Sequence, residues 1–167
     1  MFLFHERRFF MQTSLSPGAL AGLVATVPMT VSMLALRRFP GPRHRALPPE
    51  NVAHGVREIL DVNKDMSRSE KSAFNWLAHF GFGAAAGAVY SLVASKSRKH
   101  LIAQGMLFGV GVWTVSYSGW IPAAGILRFP TEESKRYVFL EVMAHLVWGG
   151  FLGALTPRLR LLSPTQN

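Results

Sequence analysis

Two apolar stretches of this sequence each carry a histidine, and the stretches repeat each other. Asn75, Ala78, His79, Gly83, Gly87 and Ala88 align with Glu141, Ala144, His145, Gly149, Gly153 and Ala154 at an offset of 66 residues. Positions four apart share one face of a helix. Asn75 therefore lies over His79, which lies over Gly83 and Gly87. Glu141 likewise lies over His145, followed by Gly149 and Gly153. An ionisable group in hydrocarbon is costly and calls for a partner, and the glycines let a neighbouring backbone come close. A buried polar cluster of Asn75, His79, Glu141 and His145 is expected, with Tyr117 and Ser116 reaching it from a third apolar segment.

Three kinds of chemistry suit that cluster. Polar pairs between membrane helices act as hydrogen-bond glue, each bond contributing about 1 kcal/mol. Histidine titrates near neutrality and a neighbouring carboxylate moves it across the working range, so the cluster could handle protons. One histidine from each of two facing helices also matches a bis-histidine haem or metal site through His79 and His145, although His-x-x-x-Gly is not a specific signature. No cofactor follows from the residues. Ser/His/Asp catalysis needs an orienting carboxylate, and Glu141 is the one acid clearly inside an apolar run. Zinc would want three or four protein ligands, whereas His79, His145 and Glu141 are the plausible set. No catalytic residue or metal ligand is assigned, and the chain reads as a non-enzyme.

The elements that position these residues follow from hydropathy. The chain has 167 residues, no cysteine, a formal charge of +9 and a mean hydropathy near zero. Its charges fall between four apolar blocks, at 17–36, 73–94, 101–121 and 137–155. Each is about 19 to 22 residues long, close to the ~20 that a helix needs to cross a bilayer. Helices satisfy their own backbone groups in lipid, so the expected fold is an all-α membrane protein, a single domain of four transmembrane helices. The first helix should open at Ser16-Pro17, with a kink or a locally re-satisfied backbone where Pro28 interrupts it. Ser67 to Glu70 is a capping-box pattern for the second. The third should stop before Pro122. Thr131 should cap the fourth, with Glu132 and Glu133 in its first turn, and Pro157 to Asn167 should form a polar tail. In the first loop, at about 40–66, Val52, Val56, Ile59 and Leu60 line one side of a short amphipathic helix and Arg57, Glu58 and Asp61 the other. That helix lies in the interface or caps the bundle.

The second and fourth helices repeat strongly, the first and third weakly through Gly18 and Gly22 against Gly105 and Gly109. The expected plan is a tandem duplication of a helical hairpin, its copies parallel and its histidines at equal depth. The basic excess reads as membrane flanks facing anionic lipid. A nucleic-acid footprint would need a continuous basic face with aromatic platforms, which the sequence lacks. The partners expected are the bilayer and, through the glycine seams, a second copy or a larger membrane complex. The first block is too long for a signal-peptide core and precedes Arg37 and Arg38, so a retained anchor is expected. Sidedness stays open: the Lys and Arg count favours a cytoplasmic first loop, and the usual habit of even-span proteins favours cytoplasmic termini.

Phe74-Asn75-Trp76 and the string Glu141-x-x-x-His145-Leu146-Val147-Trp148 resemble the YagU-like family of uncharacterised bacterial inner-membrane proteins. The resemblance covers roughly residues 73 to 155 and does not obviously extend to the first loop. It implies a multi-pass protein of the bacterial inner membrane and supplies no activity, cofactor or catalytic residue. The reading from sequence is a non-enzymatic structural, assembly or accessory component, with a proton-responsive or transport-linked protein as the alternative.

Overall fold

A computed structural model of the chain describes residues 2–36, 48–62, 65–94 and 100–162, with the side chains of 15–35 in the first segment. Arg37, Arg38 and the final polar residues, 163–167, lie outside them. The described residues are helical, with no strand. Helix α1 spans Phe2–Leu36 and α2 spans Pro48–Ile59. Helix α3 spans Arg68–Val93 and α4 spans Leu101–Val115, followed by a π-helical turn at Ser116–Trp120 and the single turn α5, Ile121–Ala123. A 3-10 turn at Pro130–Glu132 leads to α6, Lys135–Leu162. Four stretches are long and apolar enough to cross a bilayer: Leu15–Ala35, Arg68–Val93, Leu101–Ala123 and Lys135–Leu162. The protein is an all-α membrane protein.

The ends of these helices differ from the sequence reading mainly at prolines. Helix α1 passes through Pro17 and Pro28 without ending, and α6 passes through Pro157. A proline removes the donor to the carbonyl four residues back, Val24 O for Pro28 and Gly153 O for Pro157. A broken helix in lipid would leave more backbone groups without partners, so the helix is kept. The hydroxyls nearby bond other carbonyls. Thr26 Oγ1 donates to Gly22 O at 2.8 Å, Thr30 Oγ1 to Thr26 O at 2.8 Å, and Ser32 Oγ to Met29 O at 2.7 Å. Beside Pro157, Thr156 Oγ1 donates to Leu152 O at 2.8 Å. The capping box of α3 forms as read: Glu70 N–H donates to Ser67 Oγ at 3.3 Å, and Ser67 N–H to Glu70 Oε2 at 2.7 Å. The fourth span starts later than Thr131. Glu133 is extended, so the turn at Pro130–Glu132 stands apart, and Ser134 Oγ accepts from Tyr137 N–H at 3.3 Å.

Helix contacts run in the order α3, α1, α6, α4, while α3 and α4 barely touch. Two glycine seams set the close pairs. A Cβ on Gly22 would fall closer than 3.0 Å to Gly83 O and Gly87 Cα, and one on Gly87 would strike Gly18 O and Gly22. Between α4 and α6, a Cβ on Gly105 would strike Gly149 O and Gly153, one on Gly149 would strike Gly105 O, and one on Gly153 would strike Leu101 O. Backbone therefore meets backbone in both hairpins, as small-residue seams allow. The two pairs join at the centre, where Trp148 Nε1 donates to Gly22 O at 3.1 Å across α6 and α1. Ala21, Ala25, Met29, Met33, Tyr90, Ala144, Trp148 and Leu152 form the core. Large apolar side chains such as Leu20, Val31, Leu77, Leu92 and Leu107 point outward, a surface suited to lipid tails.

Candidate functional site

A chamber of about 200 Å³ lies where α3 and α4 diverge, and α2 covers it. Met29 and Met33 of α1, Phe82 and Gly83 of α3, and Val112 of α4 make much of its wall. Helix α2 adds Pro49, Val52, Ala53 and Val56. His79, Tyr117 and His145 all line this one space, with Ser116 and Thr26 as the further polar side chains. The π-helical turn widens the spacing at the end of α4, and the consecutive Ser116 and Tyr117 are both buried.

His79 Nε2 lies 3.1 Å from Thr30 Oγ1, whose hydroxyl also bonds Thr26 O at 2.8 Å. His145 Nδ1 lies 2.8 Å from Glu141 O, and a carbonyl can only accept, so Nδ1 carries the proton and Nε2 the lone pair. Tyr117 stands edge-on to His145, with ring centroids 5.9 Å apart, and stacks on Trp113 at 6.3 Å.

The other expected members of the cluster face elsewhere. Glu141 is 3% exposed and lies one turn before His145; its Oε2 accepts from Trp113 Nε1 at 3.3 Å, and it is not part of the chamber wall. Asn75 also lies off the wall. It shares a face with His79, but one turn nearer α2, where its Oδ1 accepts from Arg57. Gly83 belongs both to the seam and to the chamber, whereas Gly87, Gly149 and Gly153 serve the seams.

Arg57 reverses its expected side. It is 3% exposed, with its guanidinium 5.5 Å from the centre of the Phe74 ring, while Ile59 and Leu60 point outward. The amphipathic pattern located α2 but not the face it docks, because the aliphatic stem of an arginine packs while its head finds a polar partner. Helix α2 is thus a cover over the bundle, pinned to α3 by Arg57. Trp148 also escaped the sequence reading as a structural residue. Its indole follows His145 in the same string, and only the three-dimensional crossing reveals Gly22 O as its acceptor.

These features define a polytopic helical membrane protein with a small, mostly apolar chamber that holds two histidines near one end of the bundle. Residues 38–152 match the family described as "Protein of unknown function (DUF1440)", and since the match spans more than half of the sequence, the chain belongs to that family. The matched region opens before α2, so it takes in the chamber's cover as well as α3 and α4. No curated protein and no solved structure matches the chain.

Proposed function

We propose that this is a non-enzymatic accessory component of the bacterial inner membrane, a duplicated helical hairpin that works by packing with another membrane chain or a second copy of itself. The observation that carries this reading is how the intramembrane polar groups are used. His79 bonds to Thr30, Trp148 to Gly22 O, Trp113 to Glu141 and Arg160 Nη2 to Ser91 O at 2.6 Å, each joining two helices. These bonds are interhelical glue. The resemblance to YagU-like proteins supports the bacterial inner membrane. The corresponding glycine pairs, Gly18 and Gly22 on Gly87 and Gly83, and Gly105 and Gly109 beside Gly153 and Gly149, support the duplication. Among the described residues no group of three or more His, Asp or Glu is clustered for a metal ion. The chamber is also smaller than the ~300–1,000 Å³ typical of sites for drug-sized ligands, which argues against a porphyrin between the histidines.

A second reading, a proton-responsive or transport-linked protein, is favoured by one observation: His79 and His145 share a chamber, with Glu141 one turn away. His79→Gln separates the two. For the accessory role it should lower the thermal stability of the purified chain and weaken its assembly. If the variant instead folds and assembles like the parent while a pH-driven flux into liposomes is lost, the proton reading replaces the accessory one.

A further inference from the structure

The chamber has a chemical preference that helix packing does not require. His79 Nε2 is engaged with the Thr30 hydroxyl, and His145 spends its Nδ1–H on Glu141 O. What the neutral His145 ring has left is acceptor capacity, at Nε2. His145 in particular is not glue, because its hydrogen bond goes to its own helix. Among the described residues that line the chamber there is no lysine or arginine. Arg57, the nearest buried cation on the cover, is directed at Asn75 and Phe74. With no cation on the wall, an anionic head group would have only the Ser116 and Tyr117 hydroxyls and the Trp120 indole to offset its desolvation, while a neutral donor would find an acceptor waiting at His145.

Geometry gives the route. Helices α3 and α4 hardly meet, so the wall between them is not sealed by packing. Phe82 of α3 and Trp120 at the end of α4, both lining residues, are 47% and 42% exposed toward the surroundings of the bundle. Each belongs to a span whose outer face is apolar, so the gap opens to lipid. A space of about 200 Å³ takes a head group and a short length of chain, and the remainder of a longer molecule must leave through that gap.

We propose that the chamber binds the hydroxyl end of a neutral long-chain alcohol drawn from the bilayer, with the hydroxyl donating to His145 Nε2 and the hydrocarbon emerging between α3 and α4. This site is separate from the accessory role, and either can fail while the other stands.

The test uses the full chain in phosphatidylcholine vesicles with three photoactivatable probes. These are hexadecanol with a diazirine near the hydroxyl, its methyl ether, and the matching hexadecanoic acid. Labelled residues are mapped by mass spectrometry. The alcohol should label Met29, Met33 or Val112 about three- to tenfold more than the ether, the difference one hydrogen bond makes. His145→Phe, which keeps an aromatic ring, should make alcohol and ether equal. Ala78→Phe adds bulk at an exposed lining position and leaves both histidines in place, and it should reduce labelling by the alcohol. Equal labelling by alcohol and ether in the unaltered chain would overturn the proposal. So would stronger labelling by the acid, or alcohol labels confined to outward-facing residues such as Leu107.

Discussion

His79 and His145 occupy matching places in the sequence yet are held differently, and the difference lies in their hydrogen-bond partners. His79 ties α3 to α1 through Thr30, whereas His145 is anchored within α6. Thr30→Val should therefore destabilise the bundle by about 0.5–1.5 kcal/mol, the net worth of one such bond, and Thr30→Ser should recover most of it in thermal unfolding of the detergent-solubilised chain. Glycines make a sharper contrast. Gly22→Ala places a methyl group into the backbone of α3 and should cost about 1–3 kcal/mol, as overpacking does. Gly111 faces open space, so Gly111→Ala should be neutral or stabilise by up to about 1 kcal/mol through helix propensity. Equal effects from the two substitutions would mean that the seam is not packed as described. At this scale the sequence was informative about faces and silent about partners. The four-residue spacing correctly put His79 over Gly83, but nothing in it distinguishes Thr30 from Glu141 as the group that His79 meets.

Among the elements, α2 is the one whose position depends on few contacts, and Arg57 is the chief of them. The chain lacks cysteine, so a single introduced thiol reports cleanly on docking. Ala53, on the inner face of α2, is 2% exposed. Ala53→Cys should react slowly with a small maleimide, and adding Arg57→Ala should speed the reaction at least several-fold as α2 lifts. An unchanged rate would show that the aliphatic contacts of Val52 and Val56 hold the cover without the arginine. The existence of α2 was legible from its 3.6-residue pattern. Its buried face was not, because Ile59 and Leu60 satisfy the same periodicity as Val52 and Val56 and end up outside. Prolines misled for a related reason. Pro17 and Pro157 read as boundaries by rules learned in water, where a broken helix can be solvated, whereas Pro28 was expected inside the first span and lies there. In lipid the intact helix is the cheaper state.

For the whole molecule, apolar runs of bilayer length were enough to give the number of spans and the class of fold. Their neighbours in space could not be read from those runs. A symmetric four-helix bundle would bring α3 and α4 together as closely as α1 and α6, yet the two pairs meet through Trp148 on Gly22 and part at the other side. That departure produces the chamber. The glycine seams, expected to serve within or between chains, are filled by α1 on α3 and α4 on α6. Among the described residues, the outward apolar faces and α2 are then the surfaces left for association. Native mass spectrometry of the chain extracted gently from its own membranes tests the accessory role most directly. The result expected is the 18.5 kDa chain carrying the mass of a second copy or of another membrane chain. The 18.5 kDa chain alone, with no second polypeptide in any charge state, would contradict it.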